Sequence, residues 1–235
     1  MIRYNRVVLK ISGEAISSEY GVFDIDIVKS LVNEIRIIYE LGVEIGIVIG
    51  GGNIMRGGEF SRVGFDRNRS DYMGMLATLI NSLLLEQLMN KNGVASIVQS
   101  ALPIETVVES IDLRKTMAYL SEGKVVIFAA GTGSPHFTTD TAAALRAREI
   151  NADLLLKATK VSGVYDKDPV KYRDAVHYPT LTYEDVLSKN LAVMDMAAIS
   201  LCREEKIPIV VFNIFEHGSM ESIIRGKNVG TIIKE

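Results

Sequence analysis

The sequence predicts an α/β fold, a mainly parallel sheet with helices on both faces, and three observations carry that expectation. Strand-like apolar runs alternate with helical patterns along the whole chain, the order that builds parallel sheets. Those runs are nearly continuous in Val, Leu and Ile, as strands buried on both faces are. Four glycine-bearing turns directly follow such runs: Lys10-Ile11-Ser12-Gly13, Gly50-Gly51-Gly52-Asn53, Gly131-Thr132-Gly133-Ser134 and Thr159-Lys160-Val161-Ser162-Gly163. In an open parallel sheet, turns of this kind gather at the carboxyl ends of the strands, where ligands bind.

Residues 6–11 form the first apolar run. A helix follows, with Ile27, Val28, Leu31, Val32, Ile35, Ile38 and Tyr39 at helical spacing, Asp24 or Asp26 as its cap and Gly42 as its stop. The second strand, 43–49, runs straight into the triple glycine. A long helix spans about Asp71 to Asn90 and carries Leu83, Leu84 and Leu85 in succession, more leucine than one buried stripe needs. Such a helix is either packed on all sides or part of a subunit interface. Further strands are expected at 94–98, 124–129, 153–158, 208–212 and 229–233. Helices are expected near 103–109, 113–121, 140–150, 183–188, 195–206 and 219–225, with Thr182 and Asp185 as a capping box. No repeat, low-complexity tract or linker interrupts this order, so residues 1–235 are expected to be a single domain.

The composition narrows the function. The chain has 235 residues, 48% of them hydrophobic, enough for a large core. A net charge of −3 provides no basic field for a nucleic-acid backbone. The single cysteine, Cys202, lies in an apolar helical stretch and reads as a buried structural thiol. His136, His177 and His217 stand far apart and form no metal-ligand spacing. No signal-peptide core or transmembrane run is present, so a cytoplasmic, membrane-free protein is expected.

Glycine lets the backbone approach a ligand and turn its N–H groups toward phosphate oxygens. Two of the four turns carry a lysine, which suggests a site for more than one phosphate group. The familiar signatures are missing. There is no P-loop, and the Gly50-x-Gly52 start of a dinucleotide fingerprint fails at its sixth place, Met55. No protein-kinase loop series occurs.

Lys10 closes the first strand beside Ser12 and Gly13, and is either a bridge to a transferring phosphoryl group or a surface lysine ending a strand. Arg56 stands within reach of the second turn. Asp71 either caps the long helix or bonds a ribose hydroxyl. Thr132, Ser134, Thr138, Thr139 and Asp140 form a polar run ahead of a helix, with Thr139 or Asp140 as its cap and an anion-friendly helix end facing the site. Asp140 can instead align lysines or hold Mg²⁺. Pro135, His136 and Phe137 are either a platform beside a base or a packed loop. Tyr165 and Asp168 either meet an adenosine or belong to a hairpin. Met194-Asp195-Met196 reads as core.

Taken together, these motifs closely resemble the bacterial uridylate kinases of the amino acid kinase superfamily. The resemblance rests on Leu9-Lys10-Ile11-Ser12-Gly13-Glu14-Ala15, Gly50-Gly51-Gly52-Asn53 with Arg56-Gly57, Asp71-Tyr72-Met73-Gly74-Met75, Gly131-Thr132-Gly133-Ser134-Pro135-His136-Phe137-Thr138-Thr139-Asp140, and Lys157-Ala158-Thr159-Lys160 with Val193-Met194-Asp195. It implies a three-layer αβα sandwich around a mostly parallel, eight-stranded sheet. It implies transfer of the ATP γ-phosphoryl group to UMP, giving UDP and ADP in pyrimidine nucleotide synthesis. Lys10, Ile11, Ser12, Gly13, Gly52 and Arg56 would meet ATP phosphates, and Thr159, Tyr165 and Asp168 the adenosine. Gly51, Asp71 and Thr132, Gly133, Ser134, Pro135, His136, Phe137, Thr138 and Thr139 would form the UMP site. Asp140 matches the aspartate that organises the catalytic lysine, and either Lys157 or Lys160 assists Lys10. Mg²⁺ would come with ATP, UTP would inhibit at the UMP site, and the assembly would be an allosteric homohexamer built from dimers. Family effector contacts include bases on and after the long helix, where this chain has Glu86, Gln87, Asn90 and Ile97.

Overall fold

The computed structural model describes residues 1–55 and 64–235. Its first strand, β1 (Arg6–Ile11), shows why the apolar runs lack alternation. Val7, Leu9 and Ile11 enter one apolar cluster while Val8 enters the cluster on the opposite face. Both faces are covered, so neither tolerates regular polar positions. Each such side chain contributes about 1.5–3 kcal/mol by leaving water.

The other strands are β2 (Glu44–Ile49), β3 (Ser96–Ser100), β4 (Glu109–Ser110), β5 (Val125–Ala129), β6 (Leu154–Thr159), β7 (Val164–Tyr165), β8 (His177–Tyr178), β9 (Thr180–Thr182), β10 (Ile209–Asn213) and β11 (Thr231–Lys234). Among the described residues the main sheet has nine strands in the order β4-β3-β5-β2-β1-β6-β10-β11-β9. Only the β10–β11 pair is antiparallel, so the mostly parallel sheet is as expected. The count is one more than the eight strands that the resemblance implies, and the sheet ends at both edges in a short strand, β4 and β9.

The helices are α1 (Ile25–Glu40), α2 (Arg67–Lys91), α3 (Leu113–Ser121), α4 (Thr139–Glu149), α5 (Tyr183–Ser188), α6 (Met196–Glu204) and α7 (Ser219–Ile224). Apolar residues of α1, α2 and α7 share one cluster, and those of α3, α4, α5 and α6 the other. The result is three layers, helices–sheet–helices. Caps set the ends: Asp24 accepts from the backbone N–H groups of Asp26 and Ile27, and Thr182 and Asp185 form the expected capping box.

Four local expectations are corrected. The segment 103–109 is not a helix: the carbonyl of Ile104 accepts from Val107 and Val108 N–H, and the chain then enters β4. A run so short, opening on Pro103 and rich in β-branched residues, cannot sustain a helical nucleus. The long helix is capped by Asp66, whose carboxylate accepts from Arg69 N–H at 2.8 Å, not by Asp71. Helix α4 is capped by Thr138, one residue before the two candidates. Nor is α2 packed on all sides, since Met73, Leu76 and Ile80 are 44–49% exposed along one face.

The sheet order has a consequence for ligand placement. On one side of β1 lie β2, β5, β3 and β4, all formed before the chain crosses to the other side of β1 with β6 and β10. The strand order therefore reverses at the β1–β6 seam, and ligands bind outside the carboxyl ends of strands at such a reversal.

Candidate active site

At that seam Lys10 of β1 and Lys157 of β6 are register partners. Residues paired in register point to the same face of a sheet, here the face covered by α4. Asp140 lies in the first turn of α4 and meets both. Lys10 Nζ stands 2.6 Å from its Oδ1, and Lys157 Nζ 2.6 Å from its Oδ2. All three groups are largely buried.

Burial opposes charge on the Asp140 carboxyl, but Lys10 and Lys157 together outweigh it and hold the group below the usual carboxylate range. For Lys157 burial wins. Desolvation and the neighbouring Lys10 ammonium push it down to about 8, against the pull of Asp140. Two cations share one anion, so the cluster carries a local excess of positive charge. Lys160, the other candidate, is exposed.

Two cavities flank the cluster. One of about 140 Å³ opens on the β2–β5 side and is lined by Gly51, Asp71, Thr132, Phe137, Thr138 and Thr139, together with Met55, Gly74, Met75, Thr78 and Gly131. The other, about 480 Å³, opens on the β6–β10 side, with Thr159, Gly163, Tyr165 and Asp168 in its wall. The seam thus separates a smaller from a larger compartment.

Asp71 is held rather than free. Its Oδ2 accepts from the His136 backbone N–H at 2.8 Å, and both oxygens lie 3.0 Å from Arg67 Nε. Burial raises its pKa, yet these partners prevail and keep it below the ordinary carboxylate value. His136 adopts a left-handed backbone, φ 71°, and its ring Nε2 pairs with Asn68 Oδ1 at 2.9 Å. Phe137 is half exposed and lines the smaller cavity. Gly133, Ser134 and Pro135 form the turn between Thr132 and His136 and are not part of the cavity wall. The Thr132 hydroxyl donates to the Ser134 carbonyl at 3.1 Å, closing that turn.

The first two glycine turns touch. Gly50 N–H donates to the Ile11 carbonyl at 2.8 Å. A Cβ on Gly13 would fall against Asn53 Oδ1, 2.7 Å from Gly50 O and 2.8 Å from Gly52 N. Only glycine permits this approach. Ser12 leads into a 3-10 turn over Gly13–Ile16 without a side-chain cap, leaving its hydroxyl uncommitted there. Gly51 packs equally close to α2, its absent Cβ 2.8 Å from Ala77 Cβ. On the larger cavity, the Tyr165 ring packs tilted against the His177 ring, 5.1 Å between centroids, across the β7–β8 hairpin. Asp168 caps the Val170 N–H at 2.9 Å. Hairpin and cavity wall are thus the same residues. Arg56 lies outside the described residues.

Asp195, expected in the core with Met194 and Met196, is instead a hydrogen-bonding residue. It caps α6 through Ala198 N–H at 2.8 Å. Its other oxygen accepts from Thr141 Oγ1 at 2.8 Å and from the Thr138 hydroxyl. Of its neighbours, Met194 is buried and Met196 is exposed. The available signal was an aspartate just ahead of a helical apolar run. Cys202 is buried as expected, and burial pushes its thiol up to about 12. No helix among the described residues is long and apolar enough to cross a membrane.

The amino acid kinase family profile matches residues 5–213. A uridylate kinase of Magnetococcus marinus (strain ATCC BAA-1437 / JCM 17883 / MC-1) is 53% identical over 235 residues, covering 99% of this chain and 97% of that protein. The crystal structure of UMP kinase from Bacillus anthracis superposes with a TM-score of 0.95 at 39% identity, over 98% of this chain and 96% of that one. That of UMP kinase from Ureaplasma parvum superposes with a TM-score of 0.92 at 37% identity, over 100% of both chains. A match of this extent in both sequence and sheet leaves one conclusion: the chain belongs to the amino acid kinase family, among its uridylate kinases.

Proposed function

We propose that this protein is an ATP-dependent phosphotransferase that moves the γ-phosphoryl group of ATP to UMP, giving ADP and UDP. The carrying observation is the Lys10–Asp140–Lys157 cluster at the strand-order reversal, set between a smaller and a larger cavity. The smaller cavity takes UMP, with Asp71 on the ribose and the Thr132–Thr139 segment around the base and phosphate. The larger takes adenosine, with Thr159, Tyr165 and Asp168 along its wall.

The attacking oxygen of UMP is already ionised, so the transfer needs no general base. Catalysis is then alignment plus neutralisation of the charge spreading over the transferring group. Lys10 supplies that charge, and Asp140 fixes where its ammonium sits. The N–H groups of the Ser12–Gly13 turn and of Gly52 receive ATP phosphate oxygens, joined by Arg56.

A divalent metal accompanies ATP in kinases generally, and Mg²⁺ is the ion proposed here. Both Asp140 oxygens are taken by ammonium groups at 2.6 Å. Among the described residues no cluster of His, Cys, Asp and Glu stands ready to cage an ion. The residues present therefore fit a metal carried on the phosphate oxygens of the nucleotide. When bound it supplies further charge neutralisation.

The same proposal includes a single domain, a cytoplasmic place in pyrimidine nucleotide synthesis and UTP as an inhibitor at the UMP site. It also includes a homohexamer, for which the exposed Met73–Leu76–Ile80 face of α2 offers contact area. The test is ADP formation by the purified protein with ATP and Mg²⁺ against UMP, CMP, dUMP, carbamate, acetylglutamate and aspartate. Rapid turnover is expected with UMP. Turnover with a small acid instead would overturn the acceptor, and silence with all six would overturn the activity.

A further inference from the structure

Helix α2 buries Ser70, Thr78 and Ser82 beside its apolar residues, and with them one fully buried amide. Asn81 is 0% exposed. A buried amide needs partners for its donors and acceptor, and Asn81 has them all in one place. Its Nδ2 donates to Gly50 O at 2.6 Å and to Asn53 Oδ1 at 2.7 Å. Its Oδ1 accepts from Asn53 Nδ2 at 3.1 Å. Asn53 Nδ2 also donates to Val22 O at 3.0 Å, in the loop after the first glycine turn.

From these contacts we infer that Asn81 is a positioning residue for phosphoryl transfer, which clamps the Gly50–Asn53 turn against the Ser12–Gly13 turn. This rests on the proposed reaction. Gly50 is tied at both ends, its N–H to Ile11 O at 2.8 Å and its carbonyl to Asn81. In a trans peptide the N–H of Gly51 points opposite to the carbonyl of Gly50. Holding that carbonyl on α2 therefore fixes the Gly51 N–H on the other side of the peptide plane. One helical turn earlier, the Thr78 hydroxyl accepts from Ala130 N–H at 2.8 Å, beside the third glycine turn. A single face of α2 thus sets two of the turns that surround the acceptor cavity. Asn81 is not among the residues lining either flanking cavity, so it acts through the turn it holds.

The test compares wild type, Asn81→Ala and Asn53→Ala by hydrogen exchange and by steady-state kinetics with ATP, Mg²⁺ and UMP. Loss of the clamp is expected to speed exchange at the amides of Gly50, Ile54 and Met55 by at least about tenfold, while β5 and β6 exchange as in wild type. Turnover is expected to fall roughly 10–100-fold per folded molecule, with the KM for each substrate within about threefold, because misplacement costs rate more than binding. Asn53→Ala breaks the same pair from its partly exposed side and decides the matter should Asn81→Ala fold poorly. Unchanged exchange at the turn overturns the clamp, and a raised KM with intact kcat overturns its role in positioning. Wild type that makes no ADP from UMP overturns the proposed reaction, leaving the exchange comparison to decide the clamp alone.

Discussion

Lys10 Nζ stands 2.6 Å from Asp140 Oδ1 across the β1–α4 contact. Because Lys157 holds the other carboxylate oxygen, the two ends of this pair are not equivalent, and their removal should differ in kind. Lys10→Ala leaves Asp140 still paired, so the fold should persist while turnover falls about a hundredfold or more, roughly 3 kcal/mol of transition-state stabilisation. Asp140→Ala leaves two buried ammonium groups facing each other with no counter-charge, a loss on the order of 3–5 kcal/mol. At about 2–4 °C per kcal/mol for a chain of this size, its Tm should drop by some ten degrees. Thermal unfolding of both variants beside their kcat checks the contrast; equal Tm losses would contradict it.

The same cluster dictates a pH dependence. Lys157 is charged in both folded and unfolded chains well below pH 8. Between about 8 and its ordinary 10.5 the unfolded chain binds more protons. Stability contributed by this group should therefore rise with pH across that window. Activity should run the other way, since the folded enzyme loses a cation beside the transferring group above about pH 8. An alkaline fall in kcat/KM near that value is expected, because kcat/KM reports the free enzyme. Bound phosphate favours the charged lysine, so the fall in kcat should lie higher. Lys157→Met should lower the plateau and abolish the limb; a limb unchanged in this variant would assign it to another group.

Gly13→Ala tests the contact between the two glycine turns. The new methyl would meet Asn53 Oδ1 and lie 2.7 Å from Gly50 O and 2.8 Å from Gly52 N. Two of these are backbone atoms that cannot rotate aside, so the turns must part. Overpacking of this kind costs about 1–3 kcal/mol, read as a Tm loss of several degrees. The KM for ATP should rise with it, since the N–H groups proposed to meet its phosphates lose their spacing. A Tm and KM both equal to wild type would show that the turns adjust freely.

What was legible in the sequence is what local chemistry encodes. The seven longer strands are legible to within a residue or two because a continuous run of Val, Leu and Ile has few alternatives to a doubly buried strand, whereas the two- and three-residue β4, β7, β8 and β9 leave no such run. Lys10, Thr139 and the glycine turns are legible as candidates because strand ends, helix starts and turn residues sit side by side in the chain, whereas Asp71 lies inside α2. Long-range relations were not legible. The choice of Lys157 over Lys160 depends on the β1–β6 register, in which Lys10 faces Lys157. Neither residue's neighbours in sequence specify that pairing. Asn81 was hidden for a related reason: its partners Gly50 and Asn53 are about thirty residues away, and nothing near it in the chain sets it apart from the other polar residues of α2, such as Ser70, Thr78 and Ser82. The α4 cap was missed by one residue because Thr138, Thr139 and Asp140 are all competent caps, and the hydroxyl bond from Thr138 to Asp195 favours the first.

That bond makes Asp195 a junction between two helix starts. Its Oδ1 caps α6 through Ala198 N–H, while its Oδ2 accepts from the hydroxyls of Thr138 and Thr141 on α4. Thr138 in turn accepts from Asp140 N–H at 3.0 Å, so the hold on Asp195 passes to the residue between the two lysines. Asp195→Ala removes both functions and should lower stability by about 1–2 kcal/mol for the lost cap, with turnover reduced as well. Asp195→Asn separates them. Its amide oxygen can still cap Ala198, but its NH₂ group cannot accept from either threonine. Near-wild-type Tm with kcat about tenfold lower is therefore expected for Asp195→Asn, the rate loss arising from a slackened Asp140. The comparison is made on kcat per folded molecule at a temperature where all three proteins are folded. Full turnover in Asp195→Asn would confine Asp195 to capping α6 and leave the Asp140 carboxylate held by its lysines alone.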